Sequence, residues 1–174
     1  MFKKILVANR GEIAVRIIRA CKELNIKTVA IHSNVDTEAM HVKLADESVC
    51  VGSALPNESY LNIPSIISAI DITGADAVHP GYGFLSENDK FAKILSSHKV
   101  KFIGPSSKSI LELGNKSNAL KLASDFKLPI LGNKNSKNIE NTSDAQKIAK
   151  EIGMPVVIKA AYGGGGKGMR IFKN

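Results

Sequence analysis

Residues 3–32 read KKILVANRGEIAVRIIRACKELNIKTVAIH, and their pattern of apolar residues indicates the fold class. The apolar run at residues 3–8 predicts a buried strand, and residues 28–32 predict a second one. Residues 12–24, which lie between them, predict a helix, because apolar side chains recur every three or four positions, at Ile13, Ile17, Ala20 and Leu24. A strand, a helix and a strand joined by short turns predict two parallel strands with a right-handed crossover.

The alternation of strands and helices continues to about residue 104. Further helices are predicted at residues 36–45, 63–72 and 87–97, and further strands at residues 47–51, 75–79 and 100–103. This order predicts the α/β class, with an open, doubly wound parallel sheet in a domain at residues 1–113. We expect linker helices at residues 114–132 and the beginning of a second domain at residues 133–174.

A glycine-rich hairpin is predicted at residues 155–172, which read PVVIKAAYGGGGKGMRIF. Glycine occupies five of the six positions at 163–168, so backbone N–H groups there can approach an anion closely. Lys159 and Lys167 add positive charge. The pattern favours a flap over nucleotide phosphates, with a flexible glycine turn as the alternative. A Walker A loop is excluded, because Lys167 is followed by Gly168 and Met169 rather than by Ser or Thr at the start of a helix.

A second loop rich in glycine and aromatic residues follows the strand predicted at residues 75–79. It reads HPGYGFLSEN at residues 79–88, and it lies where open α/β sheets bind their ligands. Tyr82 and Phe84 could face a ligand or could pack in the core, and His79 alone is more often structural than catalytic. Ser86 is the predicted N-cap of the helix that follows.

Composition and charge exclude several classes of protein. The formal net charge is +8, but the lysines are scattered and are not interleaved with aromatic residues, so a nucleic-acid partner is not expected. No apolar run of about eighteen residues exists, so no membrane span is expected. Because a strand begins almost at Met1, no signal peptide is expected either, which favours a cytoplasmic protein. Cys21 and Cys50 fit no metal motif, and both are expected to be buried, reduced thiols.

Four stretches of the sequence, taken together, are specific for one protein family. They are Ile5 to Ala14, His79 to Asn88, Gly114-Asn115-Lys116 and Lys159 to Met169. In this order and at these distances they closely resemble the amino-terminal part of biotin carboxylase, an ATP-grasp ligase, over essentially the whole chain. The resemblance implies a pre-ATP-grasp domain at residues 1–113 and the start of the small lid domain at residues 133–174.

The resemblance also implies a reaction. Biotin carboxylases use ATP with Mg²⁺ or Mn²⁺ and bicarbonate to form carboxyphosphate, and then carboxylate biotin on a carrier protein. This is the first half-reaction of acetyl-CoA carboxylase in fatty acid synthesis. The expected partners are a biotin carboxyl carrier protein and carboxyltransferase subunits, and the full-length chain is expected to form a homodimer.

The resemblance also implies roles for individual residues, by their positions in the family motifs. Lys116 and Lys159 match lysines that contact ATP phosphates, and Met169 matches a position that lines the adenine side. Tyr82 and Gly83 match a loop near the biotin ring. The loop over the triphosphate corresponds to Gly163, Gly164, Gly165, Gly166, Lys167 and Gly168. The resemblance implies that the catalytic and metal-binding residues lie outside this segment, which is therefore expected to be inactive by itself.

Other interpretations stay open. The segment could begin a longer chain, such as pyruvate carboxylase or an acyl-CoA carboxylase α subunit. It could also be a noncatalytic module for nucleotide binding or assembly. A more distant ATP-grasp ligase such as carbamoyl-phosphate synthetase is disfavoured by residues 79–88. Four departures from the family pattern bear on loop flexibility and lysine placement, at Asn115, Met154, Tyr162 and Lys167.

Overall fold

A computed structural model of the chain describes residues 1–129, 139, 141–159 and 168–173, and at residues 116 and 117 it describes the backbone only. The chain divides into two compact units, Met1–Ile110 and Leu111–Asn174, so the boundary falls within a helix.

The first unit is built on a five-stranded sheet whose strands lie in the order β3-β2-β1-β4-β5. All four pairs of neighbouring strands are parallel. The elements are, in chain order, β1 (Lys4–Val7), α1 (Gly11–Glu23), β2 (Lys27–Ser33), α2 (Met40–Leu44), β3 (Glu47–Gly52), α3 (Ile63–Thr73), β4 (Ala77–His79), α4 (Asp89–Ser97), β5 (Lys101–Phe102) and α5 (Ser107–Gly114). The predicted α/β class and the open, doubly wound parallel sheet are therefore confirmed.

Alternate residues of the strands face two separate cores. On β1, Ile5 and Val7 pack with the buried side of α1, whereas Leu6, and Ala8 directly after the strand, pack with α3 and α4 on the other face. This alternation follows from the two-residue period of a strand. Because both faces are covered by helices, the central strands carry almost continuous apolar runs, as β2 does from Val29 to Ile31.

Two details of this unit differ from the sequence-based predictions. Residues 36–45 were expected to form one helix, but a short 3₁₀ turn at Asn34–Asp36 precedes α2, which covers only Met40–Leu44. Cys21 is buried as expected, whereas Cys50 is exposed. Its strand β3 is at the edge of the sheet, and Val51 on the opposite face takes the buried position there.

The second unit contributes, among the described residues, two helices and a two-stranded antiparallel sheet. They are α6 (Lys116–Asp125), α7 (Thr142–Ile152), β6 (Val156–Lys159) and β7 (Met169–Phe172). Helix α7 begins with Asn141 as its cap, since Asn141 Oδ1 accepts a hydrogen bond of 2.9 Å from the Asp144 N–H. None of the residues of α7 is buried. The two strands confirm the predicted hairpin on either side of the glycine-rich loop.

Candidate functional site

The loops after β1 and β4 meet at the point where the strand order of the sheet reverses. β1 and β4 are neighbours in the sheet, yet the chain leaves β1 toward β2 on one side and leaves β4 toward β5 on the other. The Ala8 N–H donates a 2.9 Å hydrogen bond to the His79 carbonyl, so pairing continues to the ends of both strands. Such a reversal leaves a crevice at the carboxyl ends of the strands, which is the usual ligand site of this architecture.

Asn9 is the buried polar residue at the end of β1, and it is only 3% exposed. Its Nδ2 group donates to two carbonyl oxygens of the β4 loop, those of Pro80 at 2.8 Å and Tyr82 at 2.9 Å. Its Oδ1 atom accepts a 2.9 Å hydrogen bond from the Arg10 N–H, at the start of α1. Asn9 therefore joins the β1 loop to the β4 loop through two hydrogen bonds, and the third, within the β1 loop, holds its amide in place.

The β4 loop presents Tyr82 and Gly83 at the surface. The Tyr82 side chain is 70% exposed, so the alternative in which it packs in the core is wrong. Gly81 and Gly83 on either side of it have φ values of 64° and 69°. L-residues adopt this left-handed region only at a cost, which explains why glycine occupies both positions.

His79 has a structural contact rather than a free ring. Its Nδ1 atom accepts a 3.0 Å hydrogen bond from the Gly81 N–H. Burial lowers the pKa of His79, which favours the neutral imidazole that this acceptor role requires. The ring thus helps to shape the turn of the β4 loop.

Phe84 anchors the end of the same loop on an aromatic and ionic cluster. Its ring stacks on Tyr60 with centroids 5.2 Å apart and planes 16° apart. The Tyr60 hydroxyl donates to Asp36 Oδ2 at 2.5 Å, and the Arg10 guanidinium bonds Asp36 Oδ1 at 2.5 Å. Arg10 also lies 5.5 Å from the centre of the Tyr60 ring, a cation–π distance. Ser33 completes the cluster, because its Oγ donates to Asp36 Oδ2 at 2.9 Å.

The charges of this cluster are balanced. Burial works to raise the pKa of Asp36, but hydrogen bonds from Tyr60 and Ser33 and the nearby Arg10 outweigh it, so the pKa is lowered. Burial and the hydrogen bond to Asp36 raise the pKa of Tyr60 to about 12. Asp36 is therefore a carboxylate and Tyr60 a neutral donor near pH 7.

The hairpin of the second unit carries the other group of predicted residues. Lys159 is the last residue of β6 and pairs in register with Met169, the first residue of β7. Both side chains are exposed, and Gly168 before Met169 has a φ of 75°. An open concavity of about 600 Å³ is lined by Ile158, Lys159, Gly168, Met169, Arg170 and Phe172.

Several predicted site residues cannot be placed in this site. Gly163, Gly164, Gly165, Gly166 and Lys167 lie outside the described residues. Lys116 is the first residue of α6, after a cap in which Asn115 Oδ1 accepts a 3.2 Å hydrogen bond from the Asn118 N–H. The side chain of Lys116 is outside the description.

Three residues of these two regions were not identified from the sequence. Asn9 and Arg10 could have been suspected, because they follow a buried strand in a tight turn. Their connection to residues 80–84 requires knowing that β1 and β4 are neighbours. Arg170 has no local signal, since an arginine in an exposed strand is ordinary; its place in the concavity follows from the hairpin register.

The described residues do not build a metal site or a membrane span. Among them, no three His, Cys, Asp or Glu side chains are grouped so that they could hold a metal ion, so no Mg²⁺ ligand is assigned. Within those same ranges, no helix combines the length and the apolar character needed to cross a bilayer.

Sequence families match both parts of the chain. The family described as "Biotin carboxylase, N-terminal domain" matches residues 1–110. The family described as "Carbamoyl-phosphate synthase L chain, ATP binding domain" matches residues 115–174. The first match covers the whole doubly wound unit with its two loops, and the second covers α6, α7 and the hairpin.

Individual relatives agree over nearly the entire chain. The biotin carboxylase of Pseudomonas aeruginosa is 52% identical over 171 residues, which are 98% of this chain and 38% of that protein. The mitochondrial propionyl-CoA carboxylase alpha chain of Rattus norvegicus is 54% identical over 170 residues, 98% of this chain and 23% of that protein.

A solved structure has the same fold. The biotin carboxylase domain dimer of the Hydrogenobacter thermophilus 2-oxoglutarate carboxylase, in complex with MgADP, ADP and bicarbonate, has a TM-score of 0.95. It is 46% identical and matches 100% of this chain and 38% of that one. The chain thus spans about two fifths of the length of the biotin carboxylases that it matches. With its first 110 residues matched by the amino-terminal domain family and the rest aligned to the same relatives, the chain belongs to the biotin carboxylase family.

Proposed function

We propose that this chain is the amino-terminal part of an enzyme that uses ATP and bicarbonate to carboxylate biotin on a carrier protein. The observation that carries the proposal is the agreement with biotin carboxylases through both units, at 52% identity to the P. aeruginosa enzyme. The β4 loop exposes Tyr82 and Gly83 at the strand-order reversal, far in sequence from the glycine-rich hairpin. A module that only binds nucleotide would not need this second loop.

The hairpin residues suit a role toward ATP. Phosphoryl transfer is accelerated mainly by positioned positive charge and backbone donors rather than by covalent chemistry of the protein. Lys159 would place its ammonium group against a phosphate, and Met169 beside it would offer an apolar, polarisable contact for the adenine. We assign the triphosphate to Lys116, Lys159 and the loop Gly163–Gly168, including Lys167.

The β4 loop suits a role toward biotin. Tyr82 presents an aromatic ring with a polar tip, and Gly83 lets a flat ring approach the backbone closely. We assign both residues to the biotin side of the site. Mg²⁺ or Mn²⁺ would neutralise charge on the nucleotide when it is bound. The described residues offer no cluster of ligands for such an ion.

We further propose that the complete protein is the biotin carboxylase of an acetyl-CoA carboxylase, acting in fatty acid synthesis in the cytoplasm. Biotin carboxylases and propionyl-CoA carboxylase alpha chains match the segment about equally well, at 52% and 54% identity, so the product of the complete protein distinguishes this proposal from a longer acyl-CoA or pyruvate carboxylase chain. The partners would be a biotin carboxyl carrier protein and carboxyltransferase subunits, and the chain would form a homodimer, as the H. thermophilus domain does. Formation of malonyl-CoA rather than methylmalonyl-CoA or oxaloacetate with these partners would support this choice, and either other product would contradict it.

The central test uses the complete polypeptide that contains this segment. Lys159→Gln removes the charge but keeps much of the side-chain length. We expect kcat/KM for ATP in bicarbonate-dependent biotin carboxylation to fall at least about tenfold, which corresponds to roughly 1.4 kcal/mol. Lys150→Gln is the matched control, because Lys150 is exposed on α7 and does not line the hairpin concavity. Equal activity of the two variants would overturn the assignment of Lys159.

A further inference from the structure

The backbone around Tyr82 has an unusual conformation that needs external support. Gly81, Gly83 and Phe84 have φ values of 64°, 69° and 41°, so three of four successive residues are left-handed. A non-glycine residue such as Phe84 adopts this region at a cost, and the surroundings must stabilise it.

Asn9 is in direct contact with this backbone. Its Nδ2 donates to the carbonyl oxygens of Pro80 and Tyr82, which are the residues on either side of Gly81. The neighbours fix the orientation of the amide, because two carbonyls face Nδ2 and the Arg10 N–H faces Oδ1. Asn9 follows β1, the central strand of the sheet, so the support is rigid.

The fit between Asn9 and the loop is tight. A Cβ atom added to Gly81 would lie 2.7 Å from Asn9 Nδ2 and 2.7 Å from Ile13 Cγ2. Real carbon atoms do not approach neighbours so closely, so the backbone at Gly81 rests on these two side chains. This close contact therefore requires both the amide of Asn9 and a residue without a side chain at position 81.

We propose that Asn9 is a positioning residue for biotin: it holds the backbone of Tyr82 and Gly83 against the end of β1 so that both residues meet biotin in a fixed geometry. This inference rests on the proposed function. Productive alignment depends on small distances, since a displacement of about 1 Å can cost on the order of a hundredfold in rate. Because Asn9 is buried, it would act through the backbone of Tyr82 rather than by contact with biotin.

The informative variants change this contact without removing the strand. Asn9→Asp keeps the size of the side chain and its acceptor toward the Arg10 N–H, but turns an oxygen toward the two carbonyls. Asn9→Ala removes the hydrogen bonds without adding repulsion. Gly81→Ala disturbs the same contact from the side of the loop, because its added methyl group pushes the loop away from Asn9. With three variants, the test stays valid if one of them does not fold.

Asp76→Ala is the matched control. Asp76 also bonds two backbone groups, the N–H groups of Lys3 at 2.8 Å and Lys4 at 3.0 Å. Those bonds lie at the amino-terminal edge of the sheet, opposite the β4 loop. The control therefore reports what a comparable loss of stability does to activity when Tyr82 is not disturbed.

The experiment measures two activities of the complete polypeptide, with free biotin as the probe. We expect the Asn9 and Gly81 variants to lower kcat/KM for biotin at least about tenfold. Bicarbonate-dependent ATP hydrolysis without biotin should change by less than about twofold, as should both activities of Asp76→Ala.

Each outcome either supports or overturns the inference about Asn9 or the proposed function. A selective loss toward biotin supports the inference. Unchanged kinetics, or an equal loss of both activities, would overturn it and leave Asn9 a structural residue only. Absence of biotin carboxylation in the unsubstituted protein would instead refute the proposed function itself, so the two failures are distinguishable.

Discussion

Asp36 is the common bonding partner of the polar side chains behind the β4 loop. It accepts hydrogen bonds from Tyr60 and Ser33 and forms an ion pair with Arg10. A buried carboxylate is tolerated only with such partners. Because its folded-state pKa is lowered, Asp36 contributes stability above its unfolded pKa of about 4 and loses that contribution as the pH falls through the folded value.

Tyr60→Phe tests this cluster. Tyr60 is 1% exposed, and the change removes the hydroxyl that donates to Asp36 and accepts from the Ser33 N–H at 3.1 Å. Leaving such buried groups without a partner costs about 1–3 kcal/mol, so we expect the free energy of unfolding in urea to fall by that amount.

Tyr82→Phe is the control for this substitution. It removes the same hydroxyl from an exposed ring for which the described residues provide no hydrogen bond, and its stability should change by less than about 0.5 kcal/mol. Equal stability of the two variants would show that the Tyr60 hydroxyl contributes nothing.

At this scale, sequence patterns predict which residues are buried better than which residues touch. The apolar runs of β1 and β2 were predictable, because every helix-covered strand needs them. The contacts of Asn9 with Pro80 and Tyr82 were not, since they join residues more than seventy positions apart through the strand order. Cys50 was misjudged for a related reason: its strand pattern gives no sign that β3 lies at the edge.

Among the elements, helix α4 shows how a local signal can select the wrong residue. Ser86 is a good capping residue by type, but the helix begins three residues later, at Asp89. Asn88 is the cap, with Oδ1 accepting a 2.8 Å hydrogen bond from the Phe91 N–H. The sequence HPGYGFLSEN contains both candidates, and the left-handed residues at 81–84 delay the helix start in a way that residue type alone does not predict.

The two candidate caps can be compared directly. Asn88→Ala leaves the Phe91 N–H without its side-chain acceptor and should lower the free energy of unfolding by about 1 kcal/mol. Ser86→Ala, the matched control, should have little effect, because the Ser86 backbone N–H rather than its side chain makes the loop hydrogen bond to Gly83. A larger loss for Ser86→Ala in urea unfolding would contradict this assignment.

The whole molecule combines two units that differ in how much apolar surface they bury. The first unit has two hydrophobic cores, one on each face of its sheet. In the described part of the second unit, α7 has no buried residue, and β6 and β7 expose Val157, Ile158 and Ile171. The sequence predicted the hairpin well, since β-branched residues flank a glycine loop. It could not predict whether those apolar side chains are buried or exposed, because their burial depends on contacts with residues distant in sequence.

This difference leads to a prediction about local stability in the 174-residue chain. Amide hydrogens exchange slowly where opening would expose a buried core, and quickly where little apolar surface is lost. A two-stranded sheet without a covered face is also only marginally stable. We therefore expect amides in β6, β7 and α7 to exchange at least about tenfold faster than those in β1 and β2.

Hydrogen–deuterium exchange followed by mass spectrometry, with peptides assigned to each element, measures this directly. Helix α1 is the control for secondary structure, because it is as regular as α7 but buries Ala14, Ile17 and Ile18 against the sheet. It should exchange as slowly as the strands it covers, although its first turn will exchange faster. Equal protection of α1 and α7 would show that the second unit has a stabilising core of its own, and burial in the first unit would then not explain the stability of the chain.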